Sequence, residues 1–348
     1  MMKLTHRDAF RKLLIEAFDP DRPWTEWFMN EVYDDDEVLT LEHEGKVDSV
    51  LLLTPYTMMF QGQELQASYI SCVATARAQR GKGLMHKLME KALRESFFRG
   101  DAFTALIPEN RRLYFFYDHF DFATVFYADE HRYIQGHPFA RDERFKAVEP
   151  TYELFERLEA QRPTGYRHDS EQFDRVLQDN RLDGGRVVAV SDGEGSEAMA
   201  FATFGRETHV RDILATDIDA YNAALSLLPT DKSYIVWTEP SELPNSPVLR
   251  SRGMIRIVNV EKVLGALAAE NPDTNQLIRV SDGIIADNNG TFHLHNGYCA
   301  RVEDPVTPGK NHLEVHVYNL AKLLFSAPTI GEIFNLPTSR PTISLMME

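Results

Sequence analysis

Between residues 68 and 97 the chain changes its hydrophobic period. Residues 68–75 form a largely apolar run of strand length, and a basic turn with two glycines follows. Beyond the turn, Leu84, Met85, Leu88, Met89, Ala92, Leu93 and Phe97 recur near the period of an amphipathic helix. The pattern predicts strand, turn and a helix over 83–98, then a strand at 103–107, a helix at 109–119 and a strand from 122. Upstream, Phe10, Leu13, Leu14 and Phe18 mark a helix that Thr5 or Asp8 can cap. A short second helix after Pro23 carries Trp24, Trp27, Phe28 and Val32. Residues 37–41 and 47–60 read as hairpin strands around a turn at 42–46.

A second segment follows the charged stretch 141–146. It predicts helices at 150–161 and 170–179, then strands at 186–191 and 197–204 joined by the turn Asp192-Gly193-Glu194-Gly195. A strand at 209–215, a helix at 218–228 and a strand at 233–238 repeat the element order of the first segment. A third segment opens on a strand at 252–260 and the helix 261–269. Strands at 276–280, 283–287, 290–294, 298–302 and 313–317 follow, with short helices at 320–325 and 330–334. Such a meander with helices is an α+β pattern.

The turn after the first apolar run is the segment richest in chemistry. Glycine lets the backbone approach a ligand, and a new helix offers unpaired N–H groups and a positive dipole end. Arg77, Arg80 and Lys82 add charge of the same sign. These residues predict a site for a phosphate-bearing cofactor over 77–85. The plainer reading is a solvated basic loop before a helix. Downstream, Asn110 is followed after six residues by Tyr117, and then by Asp121-Phe122. In order and spacing, Arg80-x-x-Gly83 and Asn110…Tyr117…Phe122 resemble the motifs of the GNAT acyltransferases, with Asp121 in place of a glycine.

That resemblance implies acetyl-CoA as cosubstrate. Cys72 and Val73 would pair with its pantetheine arm, and Arg80, Gly81, Lys82, Gly83 and Leu84 would hold its pyrophosphate, with Asn110 completing the cofactor set. The second segment offers Leu214-Ala215-Thr216-Asp217-Ile218-Asp219 at the corresponding turn, without glycine or basic residue. It reads as a degenerate GNAT-like domain that binds no CoA, or as an unrelated α/β domain. The whole layout resembles the enhanced intracellular survival (Eis) acetyltransferases, in which two GNAT domains precede a sterol-carrier-like domain. Met85, where most GNAT proteins carry a small residue, and the apolar tail 340–348 support that resemblance. It implies a fold of class α/β (α+β): two GNAT-like mixed-sheet domains at 1–130 and 131–250, then a sterol-carrier-like domain at 251–348 with a docked C-terminus.

Composition narrows the partners. The formal net charge of −16 argues against nucleic acid and suits a cationic substrate. The two cysteines, Cys72 and Cys299, form no disulfide or metal pattern, and no His/Cys/Asp cluster has metal-ligand spacing. No apolar run reaches the length of a membrane span, and the start lacks a signal-peptide pattern, so a soluble, cytoplasmic protein is expected. The resembled family adds the expectation of a homo-oligomer, a hexamer.

Amine acetylation needs an acid for the departing thiolate, and a tyrosine phenol suits it. Tyr117 occupies the family's position, with Tyr114 one turn earlier as the reserve; the Val73 N–H is the candidate oxyanion donor. By resemblance, the C-terminal carboxylate, which belongs to Glu348, accepts the amine proton or holds the cation. Trp24, Phe28 and Asp36 are candidate acceptor contacts, against the plainer readings of core aromatics and a solvated acidic loop at 34–37. His119 lies two residues from Tyr117, so on a helix it points elsewhere. The function expected is N-acetyl transfer to a primary amine of a cationic small molecule or lysine, by direct attack in a ternary complex. The alternatives are a non-catalytic acyl-CoA sensor or ligand-binding module, and an interaction scaffold.

Overall fold

The computed structural model describes residues 6–229, 231–240, 248–303, 312–326, 331 and 336–346. The first part runs α1 (His6–Phe18), α2 (Arg22–Trp27), β1 (Val38–His43), β2 (Lys46–Phe60), β3 (Gln63–Thr75), α3 (Leu84–Arg99), β4 (Phe103–Leu106), α4 (Arg111–Asp118) and β5 (Ala123–Tyr133). Then come β6 (Lys146–Val148), α5 (Tyr152–Glu159), β7 (Gly165–Arg167), α6 (Ser170–Leu182), β8 (Arg186–Ser191), β9 (Glu197–Phe204), β10 (Thr208–Ala215), α7 (Ile218–Ser226) and β11 (Tyr234–Thr238). The last part is β12 (Val248–Ile257), α8 (Val260–Glu270), β13 (Gln276–Ser281), β14 (Gly290–His295), β15 (Tyr298–Val302), β16 (His312–His316) and α9 (Val317–Leu324). The class is mixed α/β.

Most helices start where a side chain can satisfy their first N–H groups. Asp21 caps α2, Asn110 caps α4, Thr151 caps α5 and Asn259 caps α8. Asp169 and Gln172 form a reciprocal capping box on α6. After α2 the helix widens through 28–32, closed by a Tyr33 N–H bond to the Phe28 carbonyl.

Twelve strands make one sheet, in the order β1-β2-β3-β4-β12-β5-β11-β10-β9-β8-β6, with β7 paired to β2. Two runs in it have the same plan. In β1-β2-β3-β4 the pairings are antiparallel, antiparallel and parallel, with α3 crossing between the parallel strands. In β8-β9-β10-β11 they are again antiparallel, antiparallel and parallel, with α7 as the crossover. The second sheet has the order β15-β14-β13-β16. β12, which opens the third expected segment, is hydrogen-bonded between β4 and β5 in the large sheet.

Other expectations need correction. The strand expected at 283–287 is absent; the chain turns there, because the Asp282 carboxylate accepts from the Ile284 and Ile285 N–H groups. α9 begins three residues before the expected helix at 320, and the helix expected at 330–334 lies, apart from Gly331, outside the described residues. The short strands β6 and β7 have no counterpart in the sequence pattern.

The junction of the sheets is polar at its centre. Arg256 on β12 is completely buried. Its Nη2 donates to Asp282 Oδ1 at 2.7 Å, its Nε to the Phe120 carbonyl at 3.0 Å, and its Nη1 to the Ile257 carbonyl. Asn288 Nδ2 holds the other Asp282 oxygen at 2.8 Å.

Removing one partner of a buried pair strands the other charge. Asp282→Ala should therefore lower stability by about 3–5 kcal/mol, measurable as a shifted urea midpoint. Burial alone would raise the Asp282 pKa, but Arg256 and the hydrogen bonds outweigh it and hold the carboxyl low. The stabilisation should be complete above about pH 4, and should fade as pH falls through the depressed folded-state value. A stability unchanged by Asp282→Ala would show that the pair is dispensable.

Candidate active site

A bulge in β3 creates the first feature. Val50 pairs with Ala74 and Leu52 with Ser71, so Cys72 and Val73 together face Leu51. Cys72 takes the left-handed conformation, φ 53°, which a non-glycine residue adopts at a cost. Across the bulge the side chains separate. Cys72 packs on the cluster of Phe10, Phe28 and Val50, and Val73 on that of Ile70, Leu106 and Tyr117.

β3 and β4 are paired only over Ala67–Phe103, Ser68–Thr104 and Tyr69–Ala105. Beyond them the parallel strands part into a wedge that reaches the bulge. At its mouth lies the basic turn. Gly81 has φ 78° and Gly83 φ 74°, and a Cβ added to either would meet no atom within 4 Å. The backbone demands glycine, and the space above it is open. Gly83 is the residue before α3, and no side chain caps that helix. Arg80 is tied by its Nε to the Thr75 carbonyl at 3.1 Å, and Lys82 Nζ lies 2.6 Å from Gln79 Oε1. Open N–H groups, a dipole end and basic side chains suit a pyrophosphate.

The equivalent corner between β10 and α7 has the opposite chemistry. β10 and β11 are paired only from Thr208–Tyr234 to Val210–Val236 and then part. Here Asp217 occupies its own helix terminus, accepting from the Ala220 N–H at 2.9 Å and from the Ser196 hydroxyl. An anion would meet a carboxylate there.

Tyr117 projects from α4 into the apolar cluster that contains Ile70 and Leu106, the residues at which β3 and β4 separate. It is 6% exposed, and burial pushes its phenol up to about 12. Tyr114 is partly buried against the same cluster. Asn110 accepts from the Arg112 and Leu113 N–H groups at 3.1 and 3.3 Å, so its amide oxygen serves as a helix cap. His119 Nδ1 lies 2.7 Å from the Phe115 carbonyl, a contact within its own helix. Asp121, in the glycine position, is left-handed with φ 63°. Its carboxylate lies 3.7 Å from Arg256 Nη2 and 3.6 Å from His316 Nδ1, so charge accompanies the unusual backbone.

The candidate acceptor residues are not gathered together. Phe28 is buried in the α1–α2 core, stacked with Trp24 at 4.8 Å between ring centres. Trp24 Nε1 donates to Asp179 Oδ1 at 3.0 Å, a contact across 155 residues that no local pattern signals. Asp36 is exposed and borders a different cavity, beside β2. Glu348 lies outside the described residues.

The tail is docked as far as it is described. Thr342 exchanges backbone bonds with Thr164 and Tyr166, and a Cβ on Gly165 would fall 2.2 Å from Thr342 Oγ1. Ser344 donates to Asp212 Oδ2 at 2.6 Å within a buried pair of Asp212 with Arg162. Leu345 and Met346 are buried. Neither cysteine is a ready nucleophile, because burial pushes both thiols up to about 12.

Residues 2–125 match the family model of the acetyltransferase (GNAT) domain. That family supports acetyl transfer, with acetyl-CoA as the cosubstrate and an acceptor yet to be named. The open turn and the wedge in this chain fit such a molecule. Solved structures share the whole fold. A GCN5-related N-acetyltransferase from Anabaena variabilis superposes with TM-score 0.74 at 18% identity, covering 96% of this chain and 92% of its own. Eis1 from Mycobacterium abscessus gives 0.74 at 14%, covering 100% and 98%. A probable N-acyltransferase of unknown function from Enterococcus faecalis gives 0.76 at 16%, covering 97% and 93%. At such identities the likeness is one of fold. No curated protein matches the sequence. Among the described residues no helix is long and apolar enough to cross a membrane.

Arg80→Glu would place a negative charge at the uncapped helix terminus. It should weaken acetyl-CoA binding at least about tenfold, or 1.4 kcal/mol, by calorimetry, without changing the melting temperature of the free protein. Undiminished binding would remove the turn from the cofactor site.

Proposed function

We propose that the chain is an acetyl-CoA-dependent N-acetyltransferase that modifies a primary amine of a cationic small molecule or of lysine, by direct attack in a ternary complex. The observation that carries this reading is the wedge: an uncapped glycine turn at its mouth, a bulge at Cys72–Val73 along one wall, and Tyr117 in the cluster where it opens. The Eis-type layout, with a degenerate second GNAT-like unit and a sterol-carrier-like third, belongs to the same proposal. The repeated strand plan and the self-capped Asp217 support its second part.

In this scheme the turn 80–84 holds the pyrophosphate, and the bulged backbone of Cys72 and Val73 aligns the pantetheine arm. The Val73 N–H stabilises the carbonyl oxygen as it gains charge. The amine nitrogen bonds to the thioester carbon, and the bond from that carbon to sulfur breaks. Tyr117 gives its proton to the departing sulfur, and the terminal carboxylate of Glu348 takes one from the amine or fixes the cation. The high thiol pKa of Cys72 favours direct attack over a covalent acyl-enzyme.

Tyr117→Phe should reduce kcat by about 10²–10⁴-fold and leave acetyl-CoA affinity unchanged in steady-state kinetics on a panel of polyamines and lysine peptides. The wild-type phenol stays protonated below its value of about 12. The rate should therefore climb as the amine loses its proton, with no descending limb from Tyr117 until the pH nears that value. Full turnover in Tyr117→Phe would dismiss the tyrosine. Tight acetyl-CoA binding without turnover on any amine would favour the sensor.

The tail has its own test, because Met346 is wholly buried and should be left in place. Removal of Glu348 alone should abolish turnover while the melting temperature still rises with acetyl-CoA. Retained activity would exclude the carboxylate role.

A further inference from the structure

The strand plan repeated in β8-β9-β10-β11 repeats the wedge as well. β10 and β11 part after Val210–Val236, and the register of β10 against β9 shifts between Val210 and Asp212, so Arg211 is an extra residue there. In β3 the extra residue at Cys72–Val73 likewise follows the last pair with β4. Both units thus carry a bulge just beyond the point of parting. The first wedge has an open mouth. At the second, Asp217 occupies the helix terminus, and the walls meet the tail of the chain. Trp237 and Thr238 of β11 share one small cavity with Asp212, Thr342, Ile343 and Ser344.

The seat of Ser344 is built from two buried charges. Arg162 donates to both oxygens of Asp212 at 2.8 Å, and Asp212 Oδ1 also accepts from the Ile213 N–H at 2.9 Å. Ser344 Oγ supplies the remaining bond, donating to Oδ2 at 2.6 Å, and it accepts from Arg162 Nη1 at 3.1 Å. Asp212 is 4% exposed and Arg162 7%. A group that must donate to the one and accept from the other is a hydroxyl. Two residues earlier, the backbone bonds of Thr342 with Thr164 and Tyr166 secure the same stretch.

Beyond Ser344 the chain passes from one core to another. Leu345 is buried in the cluster of Phe155, Phe201 and Leu214, which belongs to the second unit. Met346 is buried in the cluster of Tyr69, Ala105 and Phe126, where β3 and β4 make their last pair. The crossing is made at Leu345, which is left-handed with φ 55°. A bulky residue takes that conformation at a cost, and its surroundings must hold it there. Just before the seat, Ile343 lies near the β4 wall of the first wedge. A Cβ on Gly253 would fall 3.3 Å from Ile343 Cγ2 and 3.1 Å from the Leu106 carbonyl oxygen.

We propose that Asp212, acting through Ser344, is a positioning residue for acetyl transfer: the second wedge binds the chain's own tail and aims the terminal carboxylate of Glu348 at the first wedge. The inference rests on the carboxylate role proposed above. It gives the second unit a task in the reaction that needs no cofactor of its own.

Ser344→Ala removes the hydroxyl and leaves the pair of Arg162 with Asp212 whole. With polyamines and lysine peptides as acceptors it should lower kcat about 10–100-fold, at unchanged acetyl-CoA affinity and melting temperature. A carboxypeptidase should release Glu348 from it about tenfold faster than from the wild type, because the tail opens more often. Ser344→Thr, which keeps the hydroxyl, should return both rates toward those of the wild type. Equal release from Ser344→Ala and the wild type would overturn the proposal, whether or not an amine is turned over. Full kcat in Ser344→Ala, where removal of Glu348 abolishes turnover, would overturn the positioning role and leave the carboxylate role standing. Turnover retained without Glu348 would overturn both together.

Discussion

The guanidinium of Arg256 is where the parts of this molecule are tied together. Its strand, β12, lies between β4 and β5, so the sheet that holds the wedge is completed by chain that arrives after the second segment. From there the side chain reaches the Phe120 carbonyl, just past the helix of Tyr117, and the Asp282 carboxylate at the turn after β13. A buried ion pair contributes little net stability against an apolar substitute of the same shape, but it is satisfied in one arrangement only. Here that arrangement fixes the α4–β5 corner, the last strand of the site and the second sheet relative to one another.

Duplication of the strand plan makes the chemistry of the two helix termini instructive. Both runs place a crossover helix between parallel strands that part after three residue pairs. Geometry alone would make both into anion sites. The difference lies in the residue before the helix. Gly83 leaves the N–H groups of α3 without a side-chain cap, and Asp217 fills those of α7 with its own oxygen. A helix terminus satisfied internally gains stability and gives up its ligand. One residue at each corner decides whether the helix start is capped from within or left open.

Local signals made much of this legible. The period change at residues 68–97 identifies β3, the turn and α3, and the spacing from Asn110 to Phe122 locates α4 and the corner after it. Non-local facts stayed hidden. Nothing near Arg256 announces that its strand joins a sheet more than a hundred residues upstream, because strand pairing is set by what remains uncovered elsewhere. The acidic run at 34–37 gives no sign that Glu37 would turn inward beside Thr54. His168 has no motif at all; its pairing with Glu159 depends on β7 bending back against α5. Trp24 and Phe28 were legible as large aromatics, but whether such residues line a pocket or fill a core is decided by the partners that reach them.

The bulge at Cys72 gives a final physical link between fold and reaction. A regular β3 would set a single residue opposite Leu51 and keep the ladder in register. With two residues facing Leu51, the strand carries an extra backbone unit at the very place where β4 has withdrawn. The left-handed φ of Cys72 is the local cost of that extra unit. Burial pushes the Cys72 thiol up to about 12, which makes it a poor nucleophile. In the proposed reaction this position supplies only its backbone, which demands no nucleophilic character of the cysteine.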